Sequence, residues 1–204
     1  MNHIFYIMGK SASGKDRIYR ELLRDFEGRL EKIVLYTTRP MREGEKNGRE
    51  YFFVTEDRFK EMMEQDALIE YAQYVNHYYG TPKEYVLSQM EQGKDVLLEI
   101  EIQGALKVKE RFPEAILIFV MPPNAEELKR RLIGRGTESM DVINARLRRA
   151  VEEAEGMDSY DYILINDEIS SCTEQLHKMI AVQHSRVSNN LAFLSQIREE
   201  LKNI

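Results

Sequence analysis

The chain has almost no cysteine. Cys172 stands alone among 204 residues, so no internal disulfide can form and no thiolate cluster can hold a metal. Its four histidines, His3, His77, His177 and His184, show no metal-ligand spacing. Basic charge is not in excess either. Lys and Arg number 29 against 35 Asp and Glu, a formal net charge of −6. That balance argues against nucleic-acid binding and requires any anion site to be a local concentration of cations. No apolar run approaches the ~20 residues of a membrane span. The first apolar run is short and leads straight into a glycine-bearing loop, unlike a signal peptide. Repeats and low-complexity segments are missing as well. The expectation is one compact α/β unit, cytoplasmic, with no nucleic-acid or membrane partner and enough length for a sizeable core.

What the chain does have begins at its fourth residue. The apolar stretch Ile4-Phe5-Tyr6-Ile7-Met8 precedes Gly9-x-x-x-x-Gly14-Lys15, and a helical pattern follows with Ile18, Leu22, Leu23 and Phe26 on one side. Strand, glycine loop and helix form the setting of a phosphate-binding P-loop. The glycines let backbone N–H groups turn inward around a polyphosphate. Lys15 adds a positive charge near the β and γ phosphates, as does the helix N-terminus. The hydroxyl residue that usually follows the lysine and meets Mg²⁺ is replaced by Asp16. Its carboxylate either reaches Mg²⁺, directly or through water, or repels the nucleotide phosphates.

Further along, residues 32–36 read as a strand, 37–50 as a charged glycine-bearing loop, 51–54 as a strand, 56–64 as a helix and 68–75 as a strand. Thr81 and Pro82 read as the cap and first residue of a helix running to Gly93. Residues 95–100 form a strand that ends in two carboxylates, Glu99 and Glu101. A helix over 103–111, a buried strand over 115–121, a Pro122-Pro123-Asn124 stop and cap, and a last strand over 160–165 complete the pattern. Strands alternating with helices predict a parallel sheet with right-handed crossovers. The stretch from Thr37 to about Gly80 breaks that alternation and reads as an inserted subdomain with its own small sheet. Past the last strand, Ile180, Val187, Leu194 and Leu201 recur every seven residues. They predict one long helix whose apolar stripe either packs on the core or makes a homodimer contact.

These motifs together resemble the guanylate kinase family. The P-loop, Thr37-Thr38-Arg39 with Arg42, Gly44, Glu45, Gly48 and Tyr51, then Glu70, then Tyr78-Tyr79-Gly80-Thr81 match it in order from about residue 4 to 167. The resemblance implies a P-loop nucleoside monophosphate kinase fold and γ-phosphoryl transfer from ATP to GMP, with Mg²⁺. It implies a core of residues 1–36, 82–125 and 158–204, a GMP-binding subdomain over 37–81 and a helical lid over 126–157. Gly9, Ser11, Ser13, Gly14, Lys15 and Asp16 would hold ATP, with Asp16 and Glu99 near Mg²⁺ or its waters.

Arg39 and Arg42, two guanidinium forks three residues apart, suit a doubly charged monophosphate. By the resemblance they hold the GMP phosphate, helped by Tyr51 and Tyr79. Glu70 is a lone carboxylate in an apolar strand and matches the adjacent N1–H and N2–H₂ donors of guanine, which adenine lacks. Thr81 and Glu101 would join it at the base. Residues 128–149 carry seven basic side chains against two acidic ones, a positive patch on an acidic protein. The resemblance assigns Arg135 and Arg146 from this patch to the transferring phosphates, with Arg131 beside them. Asn166-Asp167 resembles the adenine-side loop. Leu35 stands where the family often has a serine that assists base recognition. Two other functions fit parts of the pattern: a non-catalytic module binding a phosphorylated ligand, and a kinase of a related nucleotide such as dGMP. The first would be expected to lose the P-loop lysine and lid arginines, which this chain keeps.

Overall fold

The computed structural model describes residues 4–9, 14–26, 28–74, 76–99, 102–134 and 139–204. Five parallel strands form the main sheet in the order β2-β7-β1-β8-β9: β1 (Ile4–Gly9), β2 (Leu30–Lys32), β7 (Asp95–Leu98), β8 (Ile116–Met121) and β9 (Tyr162–Ile165). β1 lies in the middle, paired with β7 through Phe5↔Leu97 and with β8 through Phe5↔Ile116. The chain leaves β1 towards β2 on one side and later returns to β8 on the other. The C-terminal end of β1 is therefore the switch point where open parallel sheets bind ligands. Gly9, and Gly14 at the head of α1 (Lys15–Asp25), sit at that end.

The core fills both faces of this sheet. Leu97, Ile116, Ile118 and Val120 point to α1 and to α7 (Ile169–His184), where Ile18, Leu22, Cys172, Leu176 and Ile180 meet them. Val96, Leu98 and Leu117 point the other way, to Val86 on α3 (Lys83–Glu91) and Ala105 and Val108 on α4 (Ile102–Arg111). This two-sided burial explains why β7 and β8 read as continuous apolar runs. Fully burying such a side chain contributes about 1.5–3 kcal/mol. The foot of α7 is fastened to the sheet by His184, whose Nε2 lies 2.7 Å from the Asp95 carboxylate.

A second sheet, ordered β4-β3-β6-β5, stands apart: β3 (Tyr36–Thr37), β4 (Phe52–Phe53), β5 (Leu68–Tyr74) and β6 (His77–Pro82). Here β3 and β6, and β5 and β6, run antiparallel. Phe59 and Met62 of α2 (Glu56–Glu64) pack with Leu68 into its own small core. Thr55 starts α2 by accepting the Arg58 N–H at 3.2 Å, with Glu56 and Asp57 in the first turn. Gly80 makes this packing close. A methyl group there would lie 2.9 Å from Phe59 Cζ and 3.0 Å from Leu68 Cδ1. The fold class is that expected, an α/β parallel core with an inserted small sheet and a helical pair, α5 (Ala125–Gly134) and α6 (Met140–Ala154). Asn124 caps α5, its Oδ1 accepting the Glu127 N–H at 2.8 Å.

Several local expectations are corrected. Residues 32–36 are not one strand: β2 ends at Lys32, β3 begins at Tyr36, and the chain crosses between the two sheets there. Ile33 and Leu35 are buried in that crossing, which gave the segment its strand-like pattern. The helix expected from Thr81 and Pro82 starts one residue later than read, with Pro82 at its N-cap and no side chain capping it. β6 continues through Pro82, which pairs with Leu68, and α3 begins at Lys83. The C-terminal segment is not one helix either. α7 stops at His184, a 3-10 turn spans Val187–Asn189, and α8 (Leu191–Leu201) follows. Side-chain amides impose the stop: Asn189 Nδ2 donates to Gln183 O at 2.8 Å and Asn190 Nδ2 to His184 O at 2.7 Å. The seven-residue stripe is thereby split, with Ile180 fully buried while Val187 and Leu201 face solvent. The expected strand ends at Val75 and Ile100 lie outside the described residues.

Candidate active site

At the end of β1, Gly14 precedes α1 in a left-handed conformation, φ 86°. Two constraints act on it. An L side chain is strained at that φ, and a Cβ would lie 2.3 Å from Asn166 Nδ2. Asn166, which follows β9, is itself buried, its N–H bonded to Met121 O at 2.7 Å. Gly14 and the loop after β9 are thus packed against each other. Lys15 opens α1, and its ammonium pairs with Glu99 Oε1 at 2.9 Å. Glu99 lies just past β7, so the sheet delivers it to the same end as Gly9. Its second oxygen, Oε2, pairs with Lys32 Nζ at 3.2 Å.

Across from this group, Arg39 follows β3. Its NH2 donates to Glu45 Oε1 at 2.8 Å and its NH1 to Glu45 Oε2 at 2.9 Å and Pro40 O at 2.8 Å. Glu45 also accepts the Arg42 backbone N–H at 2.7 Å. With the Arg39 fork first and the Arg42 N–H second, its carboxyl is held at about 2, well below the usual carboxylate range. Arg39 in turn has its own pKa raised by Glu45. The guanidinium carbon stands 5.3 Å from the Tyr51 ring centre and 5.5 Å from that of Phe53. Tyr51 and Tyr79 meet edge to face at 5.8 Å. Burial, then the charges of Glu99 and Tyr79, push the Tyr51 phenol up, while Arg39 and Lys15 draw it down. Tyr51 therefore stands within electrostatic reach of both the Lys15–Glu99 pair and the Arg39 cluster. The Arg42 side chain projects from the exposed loop beside them.

Glu70 on β5 is 6 % exposed, and its Oε1 accepts the Thr81 hydroxyl at 2.6 Å. Burial raises its pKa, partly offset by that hydrogen bond and by the charge of Lys107. The Thr81 hydroxyl, expected at the base and at a helix cap, is thus directed onto Glu70. Leu35 packs with Ile33, Ile69 and Val86 in the core. On the lid side, Arg131 Nε donates to Glu127 Oε1 at 2.6 Å, and its NH2 reaches Asp167 O at 3.4 Å. Arg130 and then Arg131 hold the Glu127 carboxyl down at about 2. Arg131 lines a hollow of about 560 Å³ with Gly14, Arg17, Glu21, Asn166 and Ser170, at the N-terminal end of α1. Arg146 is half-buried on α6. Ser11, Ser13, Glu101 and Arg135, and the side chain of Asp16, lie outside the described residues.

The structure thus brings together Lys15 with Glu99, Arg39 with Tyr51 and Tyr79, Glu70 with Thr81, and Arg131 with the Asn166-Asp167 loop. Glu45, Lys32 and Lys107 were missed as site-shaping residues. Only Glu45 carried a signal, its place in the loop motif beside the two arginines; Lys32 and Lys107 look like ordinary surface lysines in the sequence.

Comparison with known proteins identifies the family. Residues 1–183 match the family model described as Guanylate kinase. The chain is 45% identical over 197 residues to the guanylate kinase of Caldanaerobacter subterraneus subsp. tengcongensis, covering 97% of this chain and 95% of that one. It is 46% identical over 179 residues to that of Lactococcus lactis subsp. lactis, covering 88% and 87%. The crystal structure of guanylate kinase from Anaplasma phagocytophilum superposes with a TM-score of 0.74 at 28% identity, over 91% of this chain and 87% of that one. The chain, with its glycine loop, paired arginine and tyrosines, and buried glutamate, belongs to the guanylate kinase family.

Proposed function

We propose that this chain transfers the γ-phosphoryl group of ATP to GMP, giving ADP and GDP. The observation that carries the reading is that Tyr51, 5.3 Å from the Arg39 guanidinium, also feels the charges of Glu99 and Lys15. Two cationic groups within reach of one phenol suit transfer between two nucleotides. Lys15, with the backbone from Gly9 to Gly14 and the positions of Ser11 and Ser13, serves the ATP phosphates. Arg39, Arg42, Tyr51 and Tyr79 hold the GMP phosphate, whose ionised oxygen is the nucleophile and needs no general base. Glu70 accepts the guanine N1–H and N2–H₂, with Thr81 fixing the carboxylate and Glu101 assigned to the same base region. Arg131, Arg135 and Arg146 of the 126–157 lid neutralise charge spreading over the γ-phosphoryl oxygens. Catalysis is then positional and electrostatic.

Among the described residues no group of three or more His, Cys, Asp or Glu side chains could hold a metal. The carboxylates at the phosphate end, Glu99 and Asp16, are oxygen donors of the type Mg²⁺ accepts, directly or through water. They fit an ion that arrives as Mg·ATP and would supply charge neutralisation on the phosphates. Among the described residues no helix is long and apolar enough to cross a membrane. As to partners, α8 presents Leu191, Phe193 and Leu201 to solvent, and we assign the homodimer contact to that helix.

The test is an ADP-release assay with Mg·ATP and each of GMP, dGMP, AMP, CMP and UMP. GMP should be turned over at least about 10²-fold faster than AMP. A folded protein that releases ADP with none of them refutes the reading, and a preference for dGMP over GMP would shift it to that nucleotide.

A further inference from the structure

Lys32 belongs to none of the motifs, yet it stands in the phosphate end of the cleft. It is the last residue of β2, opposite Leu97 in the parallel register, two residues before Glu99 leaves β7. Its ammonium lies 3.2 Å from Glu99 Oε2 and 4.9 Å from the ring centre of Tyr19, a buried residue one helical turn beyond Lys15. The Glu99 carboxylate therefore divides its two oxygens between two lysines, Lys15 on Oε1 and Lys32 on Oε2.

We propose that Lys32 is a positioning residue for phosphoryl transfer, the standing counter-ion of Glu99 that lets Lys15 turn from this carboxylate to the ATP phosphates. The proposal rests on the reading of Lys15 as the ATP lysine. Glu99 is only partly exposed, with 30% of its side-chain surface open. If Lys15 were its sole cation, turning Lys15 to metal-free ATP would leave a carboxylate facing added negative charge. Lys32 keeps that carboxylate paired throughout, and the Tyr19 ring face holds the ammonium in place. Both Lys32 and Glu99 are open enough for the pair to add little to stability, so the pairing acts on binding.

The experiment is a double-mutant cycle on ATP affinity, read by titration calorimetry with ATP and no acceptor, so that turnover is not needed. Lys32→Met should weaken ATP about 5-fold with the thermal midpoint unchanged, and Lys32→Arg should restore affinity. In a Glu99→Gln background, with the carboxylate charge gone, Lys32→Met should change ATP affinity by less than about 2-fold. Unchanged affinity in Lys32→Met overturns the proposal. So does an equal loss in the Glu99→Gln background, since Lys32 would then touch the nucleotide itself. A wild-type chain that binds ATP but does not phosphorylate GMP defeats the proposed activity and leaves this cycle readable.

Discussion

Glu70 shows how a single residue can be held against its own solvation. Burial raises its pKa above the ordinary carboxylate value, so the folded state favours the neutral acid. The sign follows: this group favours folding most below its unfolded pKa, and that contribution is lost as pH rises through the folded pKa. Once ionised, the buried carboxylate is a burden on the fold that serves recognition. Glu70→Gln should therefore raise the thermal midpoint at pH 8 relative to wild type, while lowering kcat/KM for GMP about 100-fold; melting curves and steady-state rates check both. Thr81→Val removes the 2.6 Å bond to that carboxylate and should cost about 1–3 kcal/mol in denaturant unfolding at pH 8. Glu45 is the opposite case. Its carboxyl is held down at about 2, so it is ionised at every assay pH and Arg39 stays clamped. Glu45→Gln should raise KM for GMP about 10-fold and leave KM for ATP unchanged, since the clamp lies on the acceptor side.

At the scale of elements, the chain's own chemistry marks some boundaries and hides others. α2 was legible to the residue from its composition, and in the structure Thr55 and the acidic first turn fix its start locally. β7 and β8 were legible because burial on both faces leaves a continuous apolar run. The start of α3 was not, because the Thr81 hydroxyl is claimed by Glu70, eleven positions earlier, instead of by the next turn. The break between α7 and α8 was hidden because amide caps from Asn189 and Asn190 act within an apolar spacing that runs on through the turn. The same distinction holds for the site. Lys15, Arg39 and Tyr79 sit in local motifs, whereas Lys32 gains its place only through the β2–β7 register. α8 has no buried residue. Ending the chain after Asn190 keeps the caps of α7 and should move the thermal midpoint by no more than about 2 °C. GMP turnover should persist, and light scattering should show a halved mass if α8 makes the dimer.

At the scale of the whole molecule, the second sheet is joined to the core by an apolar seam, where Leu35 and Ile69 pack with Val86, Val96 and Leu98, and by a few polar ties. Arg111 of α4 reaches Leu68 O at 3.3 Å and Asp66 at 3.4 Å, and Lys83 pairs with Asp66 at 2.6 Å. GMP at 100 times its Kd should stabilise the fold by about 2.7 kcal/mol. For a chain of this size that is a rise of about 5–10 °C in thermal midpoint, and AMP at the same concentration should give none; a thermal-shift titration decides it. The order of the main sheet has a consequence for how the protein is born. β1 is made first, yet it pairs only with β7 and β8, through Phe5↔Leu97 and Phe5↔Ile116. As the chain emerges from the ribosome, the strand that carries the glycine loop waits about a hundred residues for its first neighbour. Its backbone N–H and C=O groups have no strand partner through that interval, so the earliest of the strands to be made folds late.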